Sequence, residues 1–382
     1  MQLTLRSSGG LEDTRSASPG FTPARLTLAR KRRGLTKTEL ARLVDMDVRS
    51  ISAYENGEYA PSEETVVSLA GALKFPVVFF SGDTLDEPRP DTASFRAQSK
   101  MSATQRDMAL SQGALALHLN YWLEDKFELP QARIPPLGRE VTPEAAADAL
   151  RQDWGLGNAP VRNMVHLLES KGIRVFSLSV RALEVDAFSM WRGDTPFMFL
   201  NMQKTAEHSR FDSAHELAHL VLDRHAGCQG RESERRADAF ASAFLMPRAS
   251  VLANIPRLPT VDQLVKLKRI WCVSAAALAF RYHTLGVLSD WHYRSIYIEL
   301  AKRGYSRSEP MPVAHETSQL IQKAFEALRK EGIHRRDVAR ELQLPVTELD
   351  DLLLGLAFGR LDGGKKESEG GSGERAALTL VK

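Results

Sequence analysis

The chain has 382 residues, a net charge of +3, 43% hydrophobic residues, 26% charged residues and two cysteines. This composition is typical of globular domains and excludes a mainly disordered chain. Too few cysteines are present for a disulfide framework or a four-thiolate zinc site. No apolar run approaches the ~20 residues of a membrane helix, so we expect a soluble, cytoplasmic protein with no membrane partner. Residues 1–20 lack the apolar stretch of a signal peptide and are expected to form a flexible leader.

Residues 22–80 have the pattern of a helical domain that reads DNA. Thr36, followed three residues later by Glu39, predicts a capping box at the start of a helix. A short turn at 45–47 then leads to a second helix. The alternative interpretation is a helical bundle with a solvated basic face.

The second helix of this pair is predicted to read bases in the major groove. Val48, Ile51 and Tyr54 are spaced to be buried, which leaves small or hydrogen-bonding residues outside. Basic residues before and within the pair can neutralise phosphates. The predicted DNA-contacting set is Arg30, Arg32, Lys37, Thr38, Val48, Arg49, Ser50, Ser52, Ala53 and Asn56.

The order of a helix with E-L-A, a turn and a helix ending in Y-E-N-G resembles the repressor-type, XRE or Cro-like, helix-turn-helix family. The resemblance implies a sequence-specific regulator that binds a double-stranded DNA operator. Such proteins usually read two half-sites, so we expect a homodimer.

A second motif, His215-Glu216-x-x-His219, points to metal chemistry. The two histidines are one helical turn apart, so both imidazoles can bind one metal ion, and Glu216 can act as a general base. The alternative interpretation is a pair of hydrogen-bonded core histidines.

Three residues are candidates for the third metal ligand: Glu234, His225 and Asp223. We favour Glu234, because two antiparallel helices joined by AGCQG would return it to the histidine pair. Asp238, one turn further, would then accept a hydrogen bond from a ligand histidine. His225 and Asp223 remain alternatives, and Cys228 is interpreted as incidental.

The segment R-F-x-x-A-H-E-L-x-H, followed by E-x-x-A-D-x-F-A-x-x-x-L-M-P, resembles the ImmA/IrrE group of zinc metallopeptidases over about residues 140–285. The resemblance implies a zincin-like domain with one Zn²⁺ per chain that hydrolyses an amide bond, although manganese suits the same ligands. The protein substrate would be a repressor or an antitoxin-like partner. Candidates to stabilise the oxyanion are His208, Arg210 and Tyr282.

Two other functions stay open at this point. The metallopeptidase fold could be a non-catalytic sensor or structural module of a DNA-binding regulator. The protein could also belong to a toxin–antitoxin or phage-repressor system.

Residues 315–355 again have a helix-turn-helix pattern, but Glu348, Asp350 and Asp351 at the predicted outer positions would repel phosphate. We therefore favour a packing or dimerisation bundle over a second DNA-binding module, and expect Trp271 and Trp291 in the core. The predicted fold class is α+β and mostly helical, with a five-helix N-terminal domain, a central domain with a small sheet and a C-terminal helical bundle. The predicted ranges are 1–20 leader, 22–80 helix-turn-helix, 81–138 linker with a helix, 140–285 metallopeptidase-like, 286–358 helical region and 359–382 disordered tail.

Overall fold

The computed structural model describes residues 20–88, 93–95, 101–138, 140–178, 185–224, 230–256, 259–305 and 308–357. Across these ranges it contains sixteen α-helices and one four-stranded sheet. The mostly helical α+β fold class is confirmed. In the same part of the chain, no helix is both long and apolar enough to cross a membrane.

The N-terminal domain consists of four α-helices and a short 3-10 helix at Val77–Ser81. The predicted capping box is present, since Thr36 accepts from the amide of Glu39, and the Glu39 carboxylate accepts from the amide of Thr36. Asp47 caps the next helix, and Gly57, at φ +73°, ends it in a left-handed conformation that favours glycine. The helices are α1 Pro23–Arg32, α2 Lys37–Leu43, α3 Val48–Asn56 and α4 Glu63–Leu73.

The next helix, α5 at Ala103–Lys126, lies in the centre of the molecule. It was predicted as the helix of a linker at 81–138; residues 108–117 are buried, and the helix shares a core with the N-terminal domain. Its Gln112 is fully buried and donates to the backbone oxygen of Ser177, 2.9 Å away. This segment is therefore part of the folded core, and the other domain limits stay predictions.

The sheet separates two hydrophobic cores. One face carries a row of phenylalanines toward the core of the N-terminal domain, and the other carries smaller apolar residues toward the central helices. The order is β1-β3-β4-β2, with β2 and β4 parallel and the other pairs antiparallel. The strands are β1 Ala93–Phe95, β2 Arg174–Ser177, β3 Ala187–Arg192 and β4 Thr195–Leu200. Runs rich in Val, Ile, Phe and Trp predict the last three, at 173–178, 187–191 and 196–200.

Eight helices build the central domain over the second face of the sheet. Trp271 is fully buried there as expected, but Trp291 is 78% exposed, so its predicted place in the core is wrong. The helices are α6 Pro143–Asp153, α7 Met164–Ser170, α8 Ala206–Leu222, α9 Arg231–Leu245, α10 Arg248–Ala253, α11 Val261–Trp271, α12 Ala275–Thr284 and α13 Asp290–Lys302.

The C-terminal helices are α14 Gln319–Lys330, α15 Arg335–Glu341 and α16 Val346–Ala357, and they pack into the core of the N-terminal domain. Glu348 was predicted at an outer position but is only 1% exposed. Its carboxylate binds Arg32 at 2.6 Å and also contacts Arg33. Asp351 adds a second contact to Arg32 at 3.1 Å. These ion pairs attach α16 to the N-terminal domain.

Candidate metal centre and DNA-binding surface

Helices α8 and α9 run antiparallel and place the two parts of the second motif side by side. His215 faces Asp238, His219 faces Glu234, and Asp223 faces Ser233. The two histidines are almost fully buried on α8, because that helix lies between the sheet and α9. The antiparallel return of Glu234 is the arrangement we favoured from the sequence.

The side chains of His215, His219 and Glu234 form a compact triangle of metal-ligating atoms. The two Nε2 atoms are 3.2 Å apart, and Glu234 oxygens lie 3.4 Å and 3.5 Å from them. Ligands at zinc bond lengths of about 2.0–2.1 Å in a tetrahedron are about 3.3–3.4 Å apart. The geometry of the triangle therefore fits one zinc ion.

A carboxylate holds the other nitrogen of each imidazole. His215 Nδ1 donates to Asp238 at 2.8 Å, and His219 Nδ1 donates to Asp223 at 3.0 Å. The Ser233 hydroxyl in turn donates to Asp223 at 2.9 Å. These bonds leave both Nε2 atoms directed toward the triangle, which is the orientation a metal requires. Asp223, an alternative ligand by sequence, is instead placed as the partner of His219.

The electrostatics of the triangle favour positive charge. Burial lowers the pKa of His219, but its hydrogen bonds to Asp223 and Glu234 outweigh burial and raise the pKa above its usual value. Burial raises the pKa of Glu234, but hydrogen bonds from both histidines outweigh it and lower the pKa below the usual range. Such a field attracts a cation to this site.

Glu216 is fully buried beside the triangle, next to His215 on α8. The hydroxyl of Ser189, on β3, donates to Glu216 Oε2 at 2.7 Å. This contact fixes the carboxylate in one position. Sequence reasoning missed Ser189, because the residue lies on a strand far from the motif and no spacing connects the two.

The three candidates to stabilise the oxyanion lie in different surroundings. Arg210 is buried, and its guanidinium is bound by Glu316 and by the backbone oxygen of Val161. His208 is exposed in the first turn of α8, 2.7 Å from Thr205 Oγ1. Tyr282 lies in the core, where burial raises its pKa to about 12. His225 and Cys228 lie outside the described residues.

Two predicted phosphate contacts are wrong. Arg30 is 8% exposed and binds the Glu55 carboxylate at 2.6 Å and 2.9 Å. Arg32 is 1% exposed and is held by the carboxylates of α16. Because both guanidiniums are desolvated and paired within the protein, neither is available to DNA in this arrangement.

All but one of the remaining predicted contacts are exposed or half-exposed on α2 and α3. Val48 was expected to be buried but is 39% exposed at the start of α3. Ala53 is 6% exposed, so its predicted contact to a base is wrong. Lys37 donates to Ser52 at 3.0 Å, which links the two helices. The exposed or half-exposed set is Lys37, Thr38, Val48, Arg49, Ser50, Ser52 and Asn56.

Two family models match this chain. A helix-turn-helix family model matches residues 26–80, which run from within α1 through the whole of α2, α3 and α4. A peptidase family model described as an IrrE N-terminal-like domain matches residues 168–283, which include the whole triangle. The chain therefore combines a helix-turn-helix domain with a metallopeptidase-like domain similar to IrrE. No curated protein matches it.

Proposed function

We propose that the protein is a sequence-specific DNA-binding transcription regulator whose IrrE-like domain is a zinc-dependent endopeptidase. The observation that carries the proposal is the triangle of His215, His219 and Glu234, with Glu216 fixed next to it. A purely structural zinc site fills all four ligand positions with protein side chains. Here three ligands and an adjacent carboxylate support a catalytic centre.

Each residue has a defined part in this proposal. His215, His219 and Glu234 hold the zinc ion, while Asp238 and Asp223 fix the two imidazoles. When bound, zinc supplies Lewis-acid activation of water and of the scissile carbonyl. Glu216, oriented by Ser189, takes a proton from the attacking water and delivers it to the leaving amine. The substrate we infer is a repressor or antitoxin-like protein, whose cleavage would change transcription.

The DNA-binding half of the proposal rests on α3. Val48, Arg49 and Asn56 are exposed on this helix, and Lys37 and Thr38 are placed at the start of α2. In a helix-turn-helix domain this helix lies in the major groove and the flanking residues contact the backbone. We infer a homodimer, because two such helices read two half-sites of an operator.

The deciding experiment is metal content per chain by elemental analysis. We expect close to one zinc in the wild type, loss of zinc in His215→Ala, and retention in Glu216→Gln, because Glu216 does not bind the metal. His292→Ala, on α13, serves as the matched control and should keep its zinc. A wild type without zinc, or zinc retained in His215→Ala, would contradict the catalytic centre.

A further inference from the structure

A cavity of about 580 Å³ lies where the N-terminal domain, α5 and the C-terminal helices meet, away from the metal triangle. Arg25 on α1 and residues 81–86 form one wall, His118 and Tyr121 of α5 form another, and Glu341 and Gln343 close it. This volume is in the range of small-molecule sites, about 300–1,000 Å³. Neither the DNA-binding surface nor the metal triangle uses the cavity.

Arg25 is the main recognition group of this cavity. Its guanidinium is 3% exposed and lies over the ring of Phe79, with Nε donating to the backbone oxygen of Asp83 at 2.7 Å. Nη1 is buried, and no described group accepts its hydrogen bond. Burial lowers the pKa of Arg25, and the Asp83 carboxylate opposes this only in part. A buried, incompletely paired guanidinium favours a carboxylate ligand.

Three acidic residues also line the cavity: Asp83, Asp86 and Glu341. Asp86 is already bound by Arg192 and by the Tyr121 hydroxyl, and the Glu341 carboxylate accepts from Trp122 at 2.7 Å. Asp83 is exposed at the mouth, and the structure gives its carboxylate no hydrogen bond from a described side chain. It forms no ion pair with Arg25 within 4.0 Å among the described contacts.

A guanidinium and a carboxylate therefore border one cavity without forming a direct ion pair among the described contacts. A simple anion would satisfy Arg25 but would meet the acidic mouth. A simple cation would satisfy Asp83 and leave the buried guanidinium without an anion. A molecule with both charges satisfies both groups, because each charge then has a partner of opposite sign.

We propose that this cavity binds a small zwitterion of the amino-acid class, with its carboxylate on Arg25 and its ammonium on Asp83. Gly82 lets the side chains of Arg25 and Gln343 pack against its backbone. A Cβ at this position would lie 2.3 Å from Gln343 Oε1 and 2.5 Å from Arg25 Cζ. The occupant contacts the DNA-binding domain and the C-terminal helices together. Its binding is independent of the metal triangle.

The test uses the full chain and each of the twenty L-amino acids in a thermal-shift screen, followed by calorimetric titration of those that stabilise it. We expect saturable binding of at least one, with one molecule per chain. Asp83→Asn should weaken binding at least tenfold, because it removes the partner of the ammonium. Asp45→Asn, an exposed acid in the turn between α2 and α3, is the matched control and should bind normally.

Acetate and methylammonium, titrated separately, probe the two charges. Each should bind at least tenfold more weakly than the amino acid that is selected. The proposal is overturned if no amino acid binds, if Asp83→Asn binds as the wild type does, or if acetate alone binds equally well. Arg25→Gln is a second test, because it removes the proposed partner of the ligand carboxylate and should also weaken binding. The folding of this variant is checked by circular dichroism before titration.

Discussion

Single side chains decide how well the metal triangle is organised. Asp238 and Asp223 each accept from one imidazole, at 2.8 Å and 3.0 Å. We predict that Asp238→Asn or Asp223→Asn lowers zinc affinity by about 10- to 100-fold, because each loses the charge that fixes its histidine. Competition with a chromogenic chelator measures this affinity. Asp194→Asn, whose side chain is 99% exposed, should keep wild-type affinity.

Arg49 is the exposed basic residue at the N-terminal end of α3. If it forms a bidentate contact to a base, Arg49→Ala should weaken specific DNA binding by about 1–3 kcal/mol. Binding to operator and to random DNA is compared at one fixed salt concentration. The exposed Arg162, outside the helix-turn-helix domain, supplies the control Arg162→Ala. If Arg49→Ala leaves the ratio of operator affinity to random-DNA affinity unchanged, Arg49 does not contact a base.

At the scale of whole elements, α7 and α14 are linked by hydrogen bonds that carboxylates accept from backbone amides. Glu316, just before α14, accepts from the amides of Met164 and Val165 at the start of α7, at 2.8 Å and 2.9 Å. Glu169, near the end of α7, accepts from Ser318 and from the amides of Gln319 and Leu320. The two helices thus exchange carboxylate caps, and the central domain is tied to the C-terminal helices.

This exchange predicts a pH dependence. Burial raises the pKa of Glu169 to about 7, although its hydrogen bonds oppose the change. The folded protein therefore holds this proton more tightly than the unfolded chain. The free energy of unfolding should fall as pH rises from about 4.5 to about 7, by at most about 3 kcal/mol from this group.

Glu169→Gln should remove that slope, because the amide has no proton to release in this range. Denaturant unfolding of wild type and variant at several pH values measures the difference. Glu326→Gln, an exposed carboxylate of α14, is the control and should keep the wild-type slope. Equal slopes in wild type and Glu169→Gln would mean that this carboxylate is ionised throughout.

At the scale of the whole molecule, α16 connects the N-terminal domain to the sheet. Glu348 and Asp351 bind Arg32 of α1, and the Ser177 hydroxyl on β2 donates to the backbone oxygen of Asp351 at 2.6 Å. The pair of Arg32 and Glu348 is almost fully buried, with side-chain exposures of 1% and 2%. The DNA-binding domain is consequently packed on the C-terminal helices.

Removal of this carboxylate should be costly. We predict that Glu348→Ala lowers the free energy of unfolding by about 3–5 kcal/mol, because the buried Arg32 guanidinium loses its 2.6 Å ion pair. Chemical denaturation followed by circular dichroism measures the loss. Asp350→Ala, which removes an exposed pair with Arg335, is the control and should cost about 1 kcal/mol or less. A small loss in Glu348→Ala would show that water reaches Arg32.

Local sequence determined the features that depend on neighbouring residues. The capping box at Thr36, the turn after α2 and the helix α5 follow from spacing and from short-range hydrogen bonds. Three of the four strands follow from short runs of β-branched and aromatic residues. The histidine pair is also local, since one turn of helix sets the separation of His215 and His219. The two family domains were recognisable for the same reason.

Tertiary structure decided everything that depends on distant parts of the chain. Arg30 and Arg32 look like phosphate ligands in sequence, but Glu55 and α16 pair with them because burial makes an unpaired charge costly. Ser189 reaches Glu216 only after the sheet has formed against α8. The cavity at Arg25 requires three separate segments to meet. Sequence spacing does not report such contacts, because they depend on how elements pack rather than on how each one forms.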